Sequence, residues 1–291
     1  MAQLIINIIN TTFILINVSV SFTFIYYSTK FFNLFHATII TISAYFVFLF
    51  SIQLNLNLYV SIVLSILLSS LIGILSNAFL FKPLRIRNAD PFLIMIASLG
   101  LYLVFQNIIS LIWGDATKSI RPGEIKIGNE IFGAYITNVQ IITIIVILIL
   151  FLGTILFLNK SNLGKQMRAV SSNNDLSIIF GINSNKVILW SFGLGSALAA
   201  VAGILVAFDT DMTPTMGFNL LLYGIVAMII GGVGSFWGLV GGAFLLATAQ
   251  NLGAYYFDSK WLDAIAYIIL ILFLIWKPLG FSGKQLKKIE I

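Results

Sequence analysis

Residue types that could perform chemistry are scarce in this chain of 291 residues. It has one histidine, His36, and no cysteine, which excludes a multi-histidine or thiolate metal site. Its two Gly-Lys pairs, at 164–165 and 283–284, lack both the upstream glycine and the following hydroxyl residue of a phosphate-binding loop. The sequence therefore predicts no metal, no cofactor and no ATP hydrolysis by this chain itself.

Acidic residues are placed where apolar runs end. Every Asp and Glu falls in a predicted loop or at the end of a predicted membrane span. Because proton-driven carriers commonly use carboxylates inside the membrane as relays, this distribution argues against a proton-coupled carrier, although a sodium site can be built from backbone oxygens. No Ser/Lys pair, aspartate pair or zinc ligand set for intramembrane hydrolysis is evident, so a membrane enzyme is poorly supported.

The elements that must position any working residues are membrane helices. The chain is 59% hydrophobic and 9% charged, whereas soluble domains carry about 25% charged residues. A membrane span needs about 20 apolar residues. The candidates are 4–27, 33–53, 57–80, 91–113, 139–158, 187–208, 218–233, 235–257 and 262–276. The sequence predicts an all-α polytopic transmembrane helix bundle of eight or nine spans, one domain over residues 1–291, in which 33–53 or 218–233 is the candidate for a re-entrant segment.

Basic residues are concentrated on one side of this bundle. Twelve of the 16 Lys and Arg residues fall near residue 30, in 82–90, in 159–186 and in the tail 277–291. Only three of the ten acidic residues fall on that side. The excess of positive charge predicts that this side is cytoplasmic. With nine crossings the N-terminus is then outside and the C-terminus cytoplasmic.

A glycine-rich stretch at 230–242 separates two apolar runs. Six of its 13 residues are glycine, and three of them recur every four residues, which on one helix would form a stripe that another backbone can approach closely. We interpret it as a break in the membrane segment that reverses on the cytoplasmic side, beside 159–186, and leads into a close-packed helix; the alternative is a short loop between two ordinary helices. The residues assigned to hinge and packing are Gly231, Gly232, Gly234, Ser235, Gly238 and Gly242.

A second stripe of small residues, Gly195, Ala199 and Gly203, lies in the span 187–208. It predicts another close helix contact. The weakly apolar segments 33–53 and 218–242 lie one in each half of the chain. Such paired segments are a weak indication of a transport site at a repeat interface.

The segment 159–186 is the longest polar stretch and is too patterned for a plain linker. Its apolar residues predict one side of one or two short amphipathic helices, and Gly181 is placed to end the second helix. Such an exposed apolar face needs a partner. The pattern leaves open whether that partner is another protein or the chain's own membrane domain. The residues of this face are Met167, Val170, Leu176, Ile179 and Phe180.

Several motifs occur in an order that resembles one family of membrane proteins. They are Gly164…Arg168-Ala169-Val170-Ser171…Asn173…Gly181-Ile182, the glycine pattern of 231–242, Ala199 to Gly203, Lys277-Pro278-Leu279-Gly280 and Asn33-Leu34-Phe35-His36-Ala37. Over residues 10–283 the chain resembles the permease subunits of ATP-driven branched-chain amino acid importers. In that family the last motif usually reads Asn-Phe-Ala-His-Gly. Among the positions that differ, Phe35 in place of the small residue and Ala37 in place of the glycine bear on the identity of the solute.

The resemblance implies a complex in the bacterial or archaeal cytoplasmic membrane. Its other members would be a second, similar permease, two cytoplasmic ATPase subunits and an external solute-binding protein. The segment around 164–182 would receive the ATPase, and Asn33 and His36 would line the translocation pathway. The residues that would couple the chain to the ATPase are Gly164, Met167, Arg168, Ala169, Asn173, Asp175 and Gly181.

Other interpretations remain open for the chain and for single residues. The chain could be a secondary carrier or facilitator for urea, an amide, a nucleoside or an amino acid, working without an ATPase. His36 is also explained as a buried polar residue between helices, and Arg168 as an anchor at anionic headgroups. Asp209 and Asp211 are explained by an ordinary solvated loop as well as by a docked binding protein.

Overall fold

The computed structural model of the chain describes residues 1–121, 128–131 and 133–281. Its helices, labelled in chain order, are α1 (Ala2–Thr29), α2 (His36–Phe48), α3 (Leu58–Ser76), α4 (Lys82–Ile86), α5 (Pro91–Trp113), α6 (Asn138–Lys160), α7 (Asn162–Ser172), α8 (Asn174–Ile179), α9 (Ser184–Thr210), α10 (Met216–Gly231), α11 (Phe236–Tyr256) and α12 (Leu262–Trp276). Wider π-helical turns, Leu49–Gln53 and Asn77–Phe81, extend α2 and α3, and a 3₁₀ turn, Ser259–Trp261, precedes α12. The antiparallel strands β1 (Asn129–Ile131) and β2 (Ala134–Ile136) form a hairpin.

Most of these helices are long and apolar enough to cross a membrane. Within the part of the chain that the structure describes, seven stretches qualify on their own: Ala2–Thr29, His36–Gln53, Leu58–Ile86, Pro91–Trp113, Asn138–Lys160, Ser184–Thr210 and Ser259–Trp276. The pair α10 and α11 qualifies together, with a bend of 120° at the break between them. The chain is therefore an all-α polytopic bundle, as the apolar runs predict.

The centre of the bundle is formed by α1 and α9, which are largely buried, while α3, α5, α6 and α12 expose Leu and Ile side chains around them. Small and polar residues allow the central helices to approach their neighbours. The Ser19 hydroxyl donates to the carbonyl of Gly224 (2.8 Å), and the Asn17 amide donates to the carbonyl of Leu198 (3.1 Å). Hydrogen bonds of this kind join helices where hydrophobic burial gives no advantage over lipid.

One end of the bundle gathers the segments that the charge pattern places outside. The N–H of Tyr135 in the hairpin donates to the Gln3 side chain at the start of α1 (2.9 Å). The backbones of Lys118 and Met212 pair at 2.9 and 3.0 Å, which joins the segments that follow α5 and α9. The N-terminus and these loops therefore lie at one end.

The opposite end gathers the segments that carry most of the positive charge. The Lys30 ammonium lies 3.4 Å from the Ser171 hydroxyl of α7. The N–H of Phe281 donates to the carbonyl of Ile230 at the end of α10 (2.9 Å). Residues 277–281 of the predicted basic tail therefore pack beside the glycine-rich turn, and 282–291 lie outside the described residues.

The chain re-enters the bundle before α2 without being helical. Residues 31–35 are not part of a helix, yet Phe31, Asn33 and Phe35 are buried. Next in the chain, His36 meets Ser21 of α1, eight residues before that helix ends, which is a depth of about 12 Å at 1.5 Å per residue. The predicted span 33–53 therefore starts its helix later than expected, at His36, because irregular backbone at this depth is tolerated where protein surrounds it.

Candidate coupling site and translocation pathway

The segment 159–186 forms two short helices, each started by a side-chain cap. The Ser161 hydroxyl accepts a hydrogen bond from the N–H of Gly164 (2.9 Å) and begins α7. The Asn173 side chain accepts from the N–H of Leu176 (3.0 Å) and begins α8. Gly181 has φ of +79°, a left-handed conformation typical of the residue after a helix. Both helices and the stop at Gly181 follow the sequence prediction.

The apolar residues of this segment divide into two sets. Met167 and Val170 of α7 are buried against the membrane domain, at 5% and 3% exposure. Gly164 is packed so closely that a methyl group on it would overlap the backbone of Phe157 and Leu158 in α6. Of the two alternatives that the sequence leaves open for this segment, the structure supports cover by the chain's own membrane domain for Met167 and Val170, whereas the α8 residues are exposed. The face of α7 is covered by the chain itself, so only α8 leaves an apolar surface for a partner.

The exposed set forms an apolar tip on α8. Its members are Leu176 (49% exposed), Ile178 (55%), Ile179 (77%) and Phe180 (82%). The polar residues Asn173 and Asp175 are exposed beside it. We call Leu176, Ile178, Ile179 and Phe180 the α8 tip. Contiguous exposed apolar side chains of this kind mark a docking surface or a membrane contact.

Arg168 lies on the exposed side of α7, where its guanidinium donates to the Asn159 side chain (3.2 Å). Ala169 beside it is half-buried. No carboxylate pairs with Arg168 among the described residues. The positive charge of Arg168 is thus available at the surface that also carries the α8 tip.

Lys30 ties the end of α1 to α7. Its ammonium lies near the Ser171 hydroxyl and 5.1 Å from the centre of the Tyr27 ring. Partial burial lowers the pKa of the Lys30 ammonium below its ordinary value. In the sequence, Lys30 is only one of the basic residues that assign a side of the bundle. Its contact with α7 cannot be inferred from residue spacing.

The glycine-rich stretch forms a turn between α10 and α11. The Ser235 hydroxyl accepts from the N–H of Gly238 (3.1 Å) and caps α11. Gly234 has φ of +109° and lies in the turn, so its predicted place in a helical stripe with Gly238 and Gly242 is wrong. A glycine four residues before Gly238 has the same spacing whether it lies in the helix or in the turn before it. Only the backbone conformation of Gly234 distinguishes the two placements. The chain does turn between α10 and α11, ahead of a close-packed helix, and the connection of four residues fits the alternative, a short loop between two ordinary helices, equally well.

The turn and α7 meet across a small cavity. The cavity has a volume of about 90 Å³ and lies between α1, α6, α7 and the start of α11. Its lining includes Tyr27, Met167, Arg168 and Gly234. The two sequence features that were predicted to lie at the same face therefore share one cavity.

The glycines of α9 lie directly against the backbones of α1 and α2. A methyl group on Gly203 would overlap the carbonyl oxygen of Ile40 in α2, and one on Gly195 would come within 2.8 Å of the carbonyl oxygen of Ser21 in α1. Ala199, between them, is fully buried. The stripe on α9 is thus the surface that packs on α1 and α2.

Other glycines of the stretch 230–242 lie where α10 and α11 pack against each other. A methyl group on Gly231 would overlap the carbonyl oxygen of Gly238, and one on Gly242 would overlap that of Ala227. The neighbouring Gly232 has φ of +91° and ends α10. Close packing of the two helices therefore needs glycine on both sides of the turn.

Asn33 and His36 are enclosed within the chain, with 1% and 0% of their surface exposed. The His36 Nε2 lies 3.0 Å from the Ser21 hydroxyl oxygen. Among the described residues, no hydrogen-bond partner faces the Asn33 Oδ1 or the His36 Nδ1. In this conformation neither side chain reaches a pathway, so their role in translocation stays a prediction.

Asp209, in the last turn of α9, and Asp211, just after that helix, are both engaged within the chain. Asp209 accepts a hydrogen bond from the Asn10 amide (3.1 Å). Asp211 forms a salt bridge with Arg121 (3.1 Å). In the part of the chain that the structure describes, no three potential metal ligands come together.

The comparisons with known proteins agree with this architecture. Residues 4–274 match the family described as branched-chain amino acid transport system / permease component. The chain is 29% identical to the high-affinity branched-chain amino acid transport system permease protein BraD of Pseudomonas aeruginosa, over 92% of this chain and 91% of that protein. It is 31% identical to the corresponding permease protein LivH of Escherichia coli (strain K12), over 70% of this chain and 67% of that protein.

A solved structure shares the fold. PsaBC from Streptococcus pneumoniae, in complex with Fab, superposes with a TM-score of 0.52 at 14% identity, covering 92% of this chain and 89% of that one. Together with the apolar helices, the relatives indicate a multi-pass protein of the bacterial inner membrane. The chain belongs to the family of permease components of branched-chain amino acid transport systems.

Proposed function

We propose that this chain is one of two membrane-spanning permease subunits of an ATP-binding-cassette importer for branched-chain amino acids or a related small polar solute. The observation that carries the proposal is the α8 tip. Three of its four members are more than half exposed, on a short helix that is not one of the candidate membrane spans. A soluble partner that covers this tip accounts for it, as in helix-in-groove recognition.

We assign nine crossings, with the N-terminus outside and the C-terminus cytoplasmic. This assignment treats α10 and α11 as separate crossings that meet at the glycine-rich turn. The contact of Phe281 with Ile230 supports it, since it places the end of α12 beside the end of α10. The concentration of Lys and Arg on this side supports its cytoplasmic location.

The partners of the complex are then a second permease, two cytoplasmic ATPase subunits and an external solute-binding protein. ATP is hydrolysed on the ATPase chains, and this chain only transmits the movement. The α8 tip, with Arg168, Asn173 and Asp175, forms the ATPase contact. Gly164, Ala169 and Gly181 hold α7 and α8 in the required positions.

Movement reaches the membrane through α7. The buried Met167 on its inner face and Gly234 of the turn line one cavity, so displacement of α7 acts directly on the junction of α10 and α11. Tightly packed helices respond to such a push by shifting between discrete packings rather than by deforming continuously. The close glycine contacts of α9 and α11 are the surfaces on which the helices repack.

The test is co-purification of the tagged chain with its ATPase from membranes. Ile179→Glu and Phe180→Glu place a charge on the α8 tip and should reduce the recovered ATPase about tenfold, because burying an unpaired carboxylate opposes docking. Leu54→Glu is the matched control, since Leu54 is an exposed apolar residue (55%) in the loop between α2 and α3, at the other end of the bundle. Membrane insertion should be unchanged in all three variants.

Two results would contradict the proposal. One is normal recovery of the ATPase with both α8 variants. The other is solute uptake by proteoliposomes that contain only this chain, driven by a solute or ion gradient, which would identify a secondary carrier. The purified chain alone is expected to show no ATP hydrolysis.

A further inference from the structure

A groove separates α11 from the second half of α12. Its volume is about 630 Å³, within the range of about 300–1,000 Å³ that small-molecule sites occupy. Leu245 of α11 and Ile269 and Phe273 of α12 line it, together with Phe281 beyond the end of α12. We call this space the α11–α12 groove. It is large enough to hold a ligand, and its walls are apolar.

The groove exists because the two helices approach each other closely at only one end of α12. At the start of α12, the Gln250 amide donates to the carbonyl of Leu262 (3.5 Å). A methyl group on Gly253 would overlap the side chain of Ile265 there. Farther along, the residues that face the other helix are Leu, Ile and Phe, which hold the two backbones apart.

The chain beyond α12 folds back and fixes the end of the groove. The N–H of Phe281 donates to the carbonyl of Ile230 (2.9 Å), and the centre of its ring lies 4.9 Å from that of Phe273. Gly280 has φ of +71°, and a methyl group on it would overlap the backbone of Gly232. The Phe281 wall is therefore held by the turn between α10 and α11.

The groove opens on the side of the chain that faces lipid. Of the candidate spans among the described residues, the one that contains α12 is the least buried by the rest of the chain. Leu272 and Trp276, which also line the groove, are 57% and 89% exposed. In a multi-pass membrane protein, such an apolar opening is accessible to acyl chains.

A single positive charge lies at the end of this apolar groove. Lys277 lines it where α12 ends, and its side chain is exposed. Among the residues that the structure describes, no carboxylate pairs with Lys277. Trp and Lys at the end of a span lie at the level of the lipid headgroups, where a lysine ammonium can bind a phosphate group. The charge therefore favours an anionic headgroup above an apolar chain.

Other occupants match the groove less well. From Ile268 to Trp276, α12 has no Gly, Ala, Ser or Thr, although small residues are what allow a helix of another chain to pack closely in a membrane. Residues 282–291 carry four charged side chains among ten, which does not suit apolar walls. A flexible acyl chain has neither difficulty.

We propose that the α11–α12 groove binds one phospholipid with an anionic headgroup. An acyl chain lies between Leu245 and Phe273, and the headgroup phosphate is held at Lys277. This inference does not depend on the proposed transport function. It adds a consequence for it, because a lipid that packs on Phe281 stabilises the contact of that residue with the end of α10.

The test is native mass spectrometry of the full chain, purified in detergent and titrated with phosphatidylglycerol or phosphatidylcholine of identical acyl chains. The first lipid should bind to the wild type about fivefold more tightly as phosphatidylglycerol, the factor that one lysine contributes near an anionic surface. Lys277→Gln should bind the two lipids with affinities within about twofold of each other. Lys260→Gln, which removes an exposed lysine just before α12, is the matched control and should keep the preference.

Filling the groove tests the acyl-chain site. Ile269→Trp places a larger side chain in the space and should weaken the first binding event at least about fivefold for both lipids, because close-packed walls do not yield to the added volume. Ile275→Trp adds the same side chain at an exposed position (78%) that does not line the groove, and should bind as the wild type does. Phosphatidylglycerol should raise the unfolding temperature of the wild type but not that of Ile269→Trp, since a ligand of the folded state stabilises it.

The other outcomes each overturn the inference. A preference for phosphatidylglycerol that survives in Lys277→Gln excludes this lysine as the headgroup contact. A preference lost only when Lys284, Lys287 and Lys288 are all replaced by Gln assigns the headgroup to the tail. Unchanged lipid binding by a folded Ile269→Trp excludes the groove. Dissociation of a dimer by Ile269→Trp, with lipid binding unchanged, identifies the groove as an interface with a second copy. Lys277 is exposed, so the Lys277→Gln result decides even where Ile269→Trp does not fold.

Discussion

The hydroxyl group of Tyr27 on α1 occupies the position at which a side chain on Gly234 would begin. Tyr27 and Gly234 also line the cavity that α7 closes with Met167. The helices α1 and α7 and the glycine-rich turn therefore meet at one point. A change at this point should affect both the stability of the turn and the transmission of movement through it.

Gly234→Ala should destabilise the chain by about 1–3 kcal/mol, because φ of +109° strains any residue with a Cβ atom and the methyl group overlaps Tyr27. Thermal unfolding in detergent, followed by tryptophan fluorescence, measures the loss. Adding Tyr27→Phe to the Gly234→Ala variant should recover the part of the stability loss that is due to overlap with the Tyr27 hydroxyl. Gly153→Ala, in α6 with nothing near the added methyl group, should leave stability equal or higher.

Gly203→Ala tests the contact between α9 and α2. The added methyl group overlaps the carbonyl oxygen of Ile40, which is backbone and cannot rotate away. Overpacking of this kind typically costs about 1–3 kcal/mol. The variant should unfold at lower temperature, whereas Gly100→Ala, which meets no neighbouring atom, should not. Equal unfolding temperatures for both variants would show that the α9 stripe does not depend on close approach.

The bundle was predictable because its helices follow uninterrupted apolar runs. The span 139–158 contains no charge and forms the central part of α6. The turn at the glycine-rich stretch and the two short helices α7 and α8 also followed from composition. The hairpin of β1 and β2 was not predicted, because two strands of three residues each leave almost no periodic pattern.

The side chains of the candidate site were less predictable than the helices that carry them. An amphipathic pattern indicates that the Met167 side chain is buried against another surface. It does not show whether that surface belongs to the membrane domain of the same chain or to another protein. Spacing of four residues placed Gly234 in a stripe, although its left-handed backbone puts it in a turn.

Ser21→Ala should destabilise the chain more than its size suggests. The Ser21 hydroxyl donates to the carbonyl of Val18 (2.8 Å), so its oxygen accepts and the His36 Nε2 must carry the proton. Removing the hydroxyl leaves a buried N–H without a partner, which costs about 1–3 kcal/mol. Thermal unfolding should show this loss for Ser21→Ala and much less for Ser191→Ala, whose buried hydroxyl bonds only to its own helix.

The double variant Ser21→Ala/His36→Phe completes this test. With both polar groups removed, no donor is left unsatisfied, and stability should return toward that of His36→Phe alone. Strictly additive losses would mean that the two side chains do not interact. Leucine uptake by the stable double variant would also show that His36 is not required in the pathway.

The salt bridge between Arg121 and Asp211 should make the end of the bundle that contains it sensitive to acid. The pKa of the Asp211 carboxyl is lowered mainly by a hydrogen bond from Ser119. Partial burial raises this pKa, whereas the hydrogen bond and the positive charge of Arg121 lower it further. A carboxyl whose pKa is lower in the folded state contributes stability above its unfolded value of about 3.9, and the contribution is lost as pH falls through the folded pKa. The unfolding temperature of the wild type should therefore fall more steeply than that of Asp211→Asn as the pH decreases below about 4.

The difference between the two proteins should be small, because the side chains of Arg121 and Asp211 are both partly exposed to solvent. Asn is the suitable replacement, since it has the size and shape of Asp and removes only the charge. Parallel curves for the two proteins from neutral to acid pH would show that the salt bridge contributes nothing in solution.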